Sequence, residues 1–310
     1  MSGRILDGNK IRDEIKAELA DQITQLKVAG ITPGLAAILV GENPASQLYV
    51  RRKVKTCESL GLYSEKIELP ADTSQERLLA VIDALNHRDE IDGILVQLPL
   101  PSQIDSKVIL TALDPAKDVD GFHPINVGLL VAGRPALVPC TPAGIIEILQ
   151  RSQIPIKGAR TVVMGRSDIV GKPVAILLMH QHATVTICHS RTRDLPAVAR
   201  EGDILVAAMG KAALVTGEFI KPGATVIDVG QNVLKTPEEV RRVFHDPTGP
   251  LAQLEAKGSV LVGDVQPEDM KEMSGAYTPV PGGVGPLTIA MLMANTVQAA
   301  RARRGMRAAA

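Results

Sequence analysis

Five side chains in the first half of the sequence could do chemistry together. Tyr49 and Lys53 are four residues apart within Ala45-Ser-Gln-Leu-Tyr-Val-Arg-Arg-Lys-Val-Lys55. In a helix that spacing puts a ring and a primary amine on one face, one turn apart. Such a pair suits a flat heterocycle and a proton transfer. Spacing alone fits an exposed pair on a solvated helix as well. Gln97 closes the apolar run Gly93-Ile-Leu-Val-Gln97, and a buried amide there must find partners. It could orient an amine or satisfy nearby backbone. Asp118 and Asp120 lie in Lys117-Asp-Val-Asp-Gly121, ahead of Phe122 and His123. They could form a turn with Gly121 or accept hydrogen bonds from ring nitrogens of a substrate.

Two further segments could hold a ligand. Pro279-Val-Pro-Gly-Gly-Val-Gly-Pro-Leu-Thr288 is too rich in proline and glycine for helix or strand. It predicts a bare-backbone turn ahead of an apolar helix. Ala159 to Pro173 reads as strand, loop and helix, with Gly165 ending the strand and Gly171 opening the helix. Free amides at that helix start could take a diphosphate, although the spacing is not the G-x-G-x-x-G fingerprint. The next strand ends in His189-Ser-Arg-Thr-Arg193, with no acid before Asp194. NAD sites usually carry Asp or Glu there, whereas arginine and hydroxyls suit a 2′-phosphate. With Arg166 and Ser167 on the first loop, this segment favours NADP, although Arg191 and Arg193 could also be simply solvated. Cys140, between Pro139 and Thr141, lacks an evident base and reads as a buried thiol.

The elements needed to position these groups are legible as alternating apolar runs and helical patterns. Strands are predicted at 35–40, 93–98, 161–164, 184–188, 204–208, 225–229 and 260–262. Helices are predicted at 8–29, 45–60, 74–86, 106–113, 143–150, 172–182 and 285–301. The strands are apolar without alternation, as in sheets buried on both faces. Strand–helix alternation implies an α/β fold with parallel sheets. Gly133, Pro135, Pro139 and Pro142 mark a seam. We expect an N-terminal α/β catalytic domain over 1–139, completed by the helix 285–301. A C-terminal Rossmann-type domain follows over 140–284, then a flexible tail over 302–310.

Composition excludes several classes. The 310 residues carry 34 Lys+Arg and 34 Asp+Glu, so no global basic field favours nucleic acid. Aromatics are 2% of the chain, too few for a base-stacking platform. Cys57, Cys140 and Cys188 fit neither a disulfide framework nor a metal knuckle, and no metal site is expected. The charged start and the lack of a long apolar run predict a cytoplasmic protein without a membrane partner.

Taken together, the segments resemble the bifunctional methylenetetrahydrofolate dehydrogenase/cyclohydrolase family. The resemblance runs from about Leu6 to Ala300. It is carried in order by Tyr49-x-x-x-Lys53, Val96-Gln-Leu-Pro99, Lys117-Asp-Val-Asp-Gly121, Pro139-Cys-Thr-Pro142, Gly165-Arg-Ser-x-Ile-Val-Gly171 and the proline–glycine loop. It implies a homodimer that binds folate in a cleft between its two domains. It implies NADP-dependent oxidation of 5,10-methylenetetrahydrofolate, then hydrolysis to 10-formyltetrahydrofolate. Tyr49 would stack on the folate ring, Lys53 would be the reactive amine with Gln97 as partner, and Asp120 would anchor the ring. Pro281, Gly282 and Gly283 would line the substrate. Gly165, Arg166, Ser167, Ile169, Gly171, Ser190 and Arg191 would hold NADP. Rival readings are a dehydrogenase without the hydrolytic step and a non-catalytic NADP-binding protein. Leu129, Gln231 and Leu287 depart from residues frequent in the family, and residues 233–258 match less clearly.

Overall fold

A computed structural model describes residues 3–134 and 136–306; for Ala45 it describes the backbone alone. Pro135 of the expected seam and residues 307–310 of the expected tail lie outside the described residues. The chain begins with β1 (Arg4–Ile5), α1 (Gly8–Val28), β2 (Gly34–Val40), α2 (Pro44–Leu60), β3 (Tyr63–Leu69) and α3 (Gln75–Asn86). It continues through β4 (Gly93–Val96), α4 (Ser106–Ala112), α5 (Pro124–Val131), α6 (Cys140–Arg151), β5 (Arg160–Met164) and α7 (Gly171–His180). Then come β6 (Thr184–Cys188), α8 (Leu195–Ala199), β7 (Ile204–Ala207), β8 (Thr225–Asp228), β9 (Asn232–Leu234) and α9 (Pro237–Val243). The last elements are α10 (Thr248–Lys257), β10 (Val260–Val262), α11 (Pro267–Met273), β11 (Ala276–Tyr277) and α12 (Gly285–Arg303).

The chain divides into two compact units. One gathers Asp13–Cys140 and the chain from Ile289 on; the other gathers Thr141–Thr288 and the residues up to Arg12. The first unit is built on a three-stranded parallel sheet in the order β3-β2-β4. All seven residues of β2 are buried because both neighbours and covering helices shield it. Helix α3 starts where Ser74 caps it by accepting from the amide of Arg77. Its Leu78, Ile82 and Leu85 recur at helical spacing and pack on Ile38, Ile94 and Val96.

The second unit carries a six-stranded sheet in the order β1-β11-β8-β7-β5-β6, with every pair parallel. Its core joins Val162 and Met164 to Leu205, Ala207, Val226 and Tyr277. The chain runs outward from β5 to β6, then returns across β5 to β7. The C-terminal ends of β5 and β7 therefore flank a topological switch point, where open α/β sheets take their ligands.

Several expectations change. Strand β1 pairs with β11, so the first residues belong with the second half of the chain and not with the first. Two-residue strands leave no periodicity to read. Strand 260–262 joins no parallel sheet: β10 pairs antiparallel with β9. Leu234, Val240, Val243, Val260 and Val262 form a small core beneath that pair. Strand β6 is an edge and largely exposed, contrary to the expectation of burial on both faces. The expected tail is anchored at its start. Helix α12 extends to Arg303, and the guanidiniums of Arg303 and Arg304 each donate to the buried carboxylate of Asp92, at 2.6 Å.

Candidate active site

Helix α2 explains how a lysine comes to lie in an apolar face. Its buried positions are Ser46, Val50, Lys53 and Cys57, a stripe at steps of four, three and four. Lys53 takes a core position on that stripe and is 8% exposed. One turn below it, the Cys57 thiol lies against the sulfur of Met293 on α12, at 3.3 Å. One turn above it is Tyr49, 37% exposed. The amine of Lys53 donates to Gln97 Oε1 at 3.1 Å. Gln97 sits one residue past β4, and its Nε2 donates to the carbonyl of Leu98 at 2.7 Å. The carboxamide is thereby fixed with its oxygen toward the amine. Gln97 thus contacts both the amine and the neighbouring backbone.

Asp120 is half-buried, and its carboxyl is pushed up to about 6. Burial is the largest cause; the Lys53 ammonium opposes it and the Asp118 carboxylate adds to it. Asp118 is fully buried. One of its oxygens accepts from the amide of His123 (2.7 Å) and from Asn126 Nδ2 (2.9 Å). Burial pushes its pKa up as well. Asp118 thus holds the turn that presents Asp120. The Cys140 thiol donates to the carbonyl of Val119 at 3.4 Å, and burial pushes it well above the usual thiol range. It is the inert thiol that the sequence suggested.

Sequence reasoning missed two side chains here. Asn295 on α12 donates to the carbonyls of Val119 (2.7 Å) and Val138 (2.8 Å), tying the Asp120 segment to the approach to Cys140. An asparagine within an apolar helix was the available signal. Lys117 is 1% exposed, and its amine donates to the carbonyls of Leu85, Asn86 and Arg88 at 2.7–3.0 Å. It caps the C-terminus of α3, where carbonyls lack helical partners.

In the other unit, the loop between β5 and α7 has the shape of a dinucleotide turn. A Cβ on Gly171 would overlap the backbone of Gly165 and the amide of Arg166; one on Gly165 would overlap the carbonyl of Ala208. The turn is therefore closed to side chains at both points and fits a phosphate-binding backbone. One expectation is modified. Ser167 Oγ accepts from the amides of Val170 and Gly171 at 3.2 Å, so the serine itself occupies this helix start. Arg166, Ser167 and Ile169 are exposed on the loop. On the neighbouring strand end, the amide of Arg191 donates to His189 Nδ1 and the amide of His189 to Thr192 Oγ1. That turn carries Ser190 and Arg191 into solvent beside the β5 loop, because Met164 and Cys188 are partners in register.

The proline–glycine loop belongs to this same unit. The amide of Gly8 donates to the carbonyl of Gly282 at 2.9 Å. A Cβ on Gly8 would overlap the carbonyl of Gly283, so only glycine permits this approach. Pro281 is exposed, Gly282 half-buried and Gly283 buried. Thr141 and Thr288 share a hydroxyl hydrogen bond of 3.0 Å at the start of α6 and early in α12.

Residues 6–120 match the catalytic domain of tetrahydrofolate dehydrogenase/cyclohydrolase, and residues 139–304 match its NAD(P)-binding domain. The chain belongs to the tetrahydrofolate dehydrogenase/cyclohydrolase family. It is 62% identical to the bifunctional protein FolD of Solibacter usitatus, over 98% of this chain and 99% of that one. The crystal structure of the FolD dehydrogenase/cyclohydrolase of Campylobacter jejuni superposes with a TM-score of 0.88 at 42% identity, covering 97% and 100% of the two chains. The Trypanosoma brucei FolD enzyme, solved with NADP cofactor and an inhibitor, gives a TM-score of 0.87 at 39% identity, covering 99% and 100%. Membership explains why an amine, an amide and a carboxylate from separate segments meet in the first unit, while a dinucleotide turn occupies the second. Among the described residues, no helix is long and apolar enough to cross a membrane.

Proposed function

We propose that this chain performs two consecutive steps of one-carbon chemistry. The first is the NADP-dependent oxidation of 5,10-methylenetetrahydrofolate to 5,10-methenyltetrahydrofolate. The second is hydrolysis of that product to 10-formyltetrahydrofolate. The observation that carries the reading is the amine of Lys53, shielded from solvent and held 3.1 Å from Gln97 Oε1.

NADP, when bound, would supply the hydride acceptor for the methylene carbon. Arg166, Ser190 and Arg191 would hold its 2′-phosphate, while Gly165, Ser167, Ile169 and Gly171 would shape the loop beneath its diphosphate. Tyr49 stacks on the pteridine, and Asp120 accepts hydrogen bonds from its ring nitrogens. Pro281, Gly282 and Gly283 supply backbone against the substrate. Hydride transfer asks these groups for alignment and not for a base.

Hydrolysis does need proton transfer. Water attacks the cationic methenyl carbon, the bond from that carbon to N5 breaks, one water proton reaches N5 and the other leaves. Lys53 moves those protons, directly or through a water. Gln97 orients the amine without adding a negative charge that would favour the ammonium. A homodimer is part of the same reading; exposed Ile187 of β6 and Met179 of α7 are apolar surface it would cover. Three free, buried cysteines fit a reducing, cytoplasmic setting.

One absorbance assay tests the function. Methylenetetrahydrofolate is supplied with NADP and NAD in parallel, while reduced cofactor and methenyl product are followed together. The reading requires reduced cofactor to appear and methenyl to decay faster than in buffer. Oxidation without that decay reduces the protein to a dehydrogenase; cofactor binding without any absorbance change leaves only a binding protein. Arg166→Ala tests the cofactor assignment. Loss of a charged contact, about 1.5–3 kcal/mol or roughly 10- to 100-fold, is expected for NADP and not for NAD.

A further inference from the structure

The C-terminal edge of the six-stranded sheet contains two buried carboxylates that the chemistry above does not use. Asp228 ends β8 and is 1% exposed; Asp264 follows β10 and is 0% exposed. One oxygen of Asp264 accepts from the amides of Met209 and Gly210. The other accepts from the amide of Lys211 and from Asn232 Nδ2, both at 2.9 Å. Asp228 accepts from the amides of Gly230 (2.9 Å), Asp264 (2.8 Å) and Val265 (3.0 Å). Its own amide donates to Thr278 Oγ1 at 2.8 Å, immediately before the proline–glycine loop. The two side chains thus tie the loop after β7, the loop after β8 and the turn after β10, while the link to Thr278 runs through the backbone of Asp228.

Burying two carboxylates is costly unless fixed donors surround them. Among these donors, Met209, Gly210 and Lys211 follow β7 and Gly230 follows β8, at one end of the sheet. Strand order gives that end a direction. Arg166 follows β5, and Ser190 and Arg191 follow β6, the outer edge. A dinucleotide whose 2′-phosphate end lies there must extend across the switch point, over the ends of β7 and β8. The loops that the carboxylates hold are the ones beneath its other half.

We infer that Asp228 and Asp264 are positioning residues for the nicotinamide half of the dinucleotide, fixing the loops after β7 and β8 for hydride transfer. This rests on the dehydrogenase reading above. The pair acts on oxidation and leaves hydrolysis at Lys53 untouched.

Asp264→Asn and Asp228→Asn test it. Each turns an accepting oxygen into a donating NH2 that faces backbone amides. Oxidation of methylenetetrahydrofolate is expected to lose about 10- to 100-fold in kcat, as for a small misplacement of reacting groups, with a higher KM for NADP. Hydrolysis of added methenyltetrahydrofolate by the same variants stays at the wild-type rate. The dissociation constant for 2′-phospho-ADP-ribose, which lacks the nicotinamide ring, also stays unchanged. Parallel loss of both activities, loss of fragment binding, or undiminished oxidation overturns the inference. Should both variants fail to fold, Asn232→Ala removes a side-chain donor to the Asp264 carboxylate and must show the same split, smaller in size; equal loss in both activities, or no loss, overturns it. Absence of oxidation in the wild-type protein would instead remove the dehydrogenase reading itself.

Discussion

Lys53 and Lys117 lie in the same unit at 8% and 1% exposure, yet their amines meet different surroundings. Lys117 donates to three backbone carbonyls at the end of α3, one for each proton of its ammonium. Burial and the Arg303 charge lower its pKa, and Asp114, Asp92 and Asp89 oppose them. Lys53 meets one side-chain oxygen, with Asp120 near enough to feel its charge. A saturated ammonium is a structural clamp. An amine held by one neutral amide keeps the capacity to exchange protons.

Substitutions can break that contrast, beginning with the largest effect. Lys53→Met should abolish methenyl hydrolysis, with a loss of about 10²- to 10⁴-fold in the absorbance assay. Its thermal unfolding should change little. Lys117→Met should do the reverse. The carbonyls of Leu85 and Arg88 keep backbone donors, so the loss falls on the Asn86 carbonyl, at roughly 1–3 kcal/mol for a group left buried, seen as a lower midpoint in urea. Turnover per folded molecule should hold. Hydrolysis that fails in Lys117→Met, or survives in Lys53→Met, erases the distinction.

Gln97→Glu sharpens it. A carboxylate at that position gives the amine a charged partner and favours the ammonium. Hydrolysis should fall about tenfold or more at neutral pH and recover as pH rises. A pH–rate profile identical to wild type would mean that Gln97 does not govern the amine.

Asp120 gives the smallest effect and a definite sign. Its pKa in the fold is raised to about 6, above the usual carboxyl range. The folded state therefore binds the proton more tightly than the unfolded chain. Stability from this group is present in acid and lost as pH rises through about 6. Asp120→Asn should raise Tm at neutral pH and not at strongly acidic pH. In the wild-type protein, KM for the folate should rise as pH falls below that value, because a protonated carboxyl accepts ring hydrogen bonds poorly. Scanning calorimetry and initial rates check the two halves.

Much of this was legible in the sequence because the long apolar strands and the motif order are strong signals. Strands β2, β5 and β8 were recognisable as apolar runs without alternation. Strand β3, Tyr-Ser-Glu-Lys-Ile-Glu-Leu, is half-exposed and charged, so it offered no apolar run. Strands β1 and β11 are two residues each, and their pairing joins distant parts of the chain. The site divides in the same way. Lys53 and Gln97 stand out because a lysine and an amide lie among apolar neighbours. Lys117 does not, since its role depends on carbonyls of a helix that ends far away in sequence. Asp228 and Asp264 follow apolar strands and resemble ordinary turn residues until the loops they hold are seen.

The proton-carrying role of Lys53 is tested most directly by rebuilding its amine. Lys53→Cys, alkylated with 2-bromoethylamine, restores a primary amine at nearly the native reach with a lower titration point. The native thiols should resist the reagent: burial pushes Cys57 up to about 12 and Cys188 to about 11, and Cys140 well above its usual range. We predict that hydrolysis is absent in Lys53→Cys and returns on alkylation, with its pH dependence displaced to lower pH. Hydrolysis in the unmodified variant, or recovery without that displacement, would contradict the account.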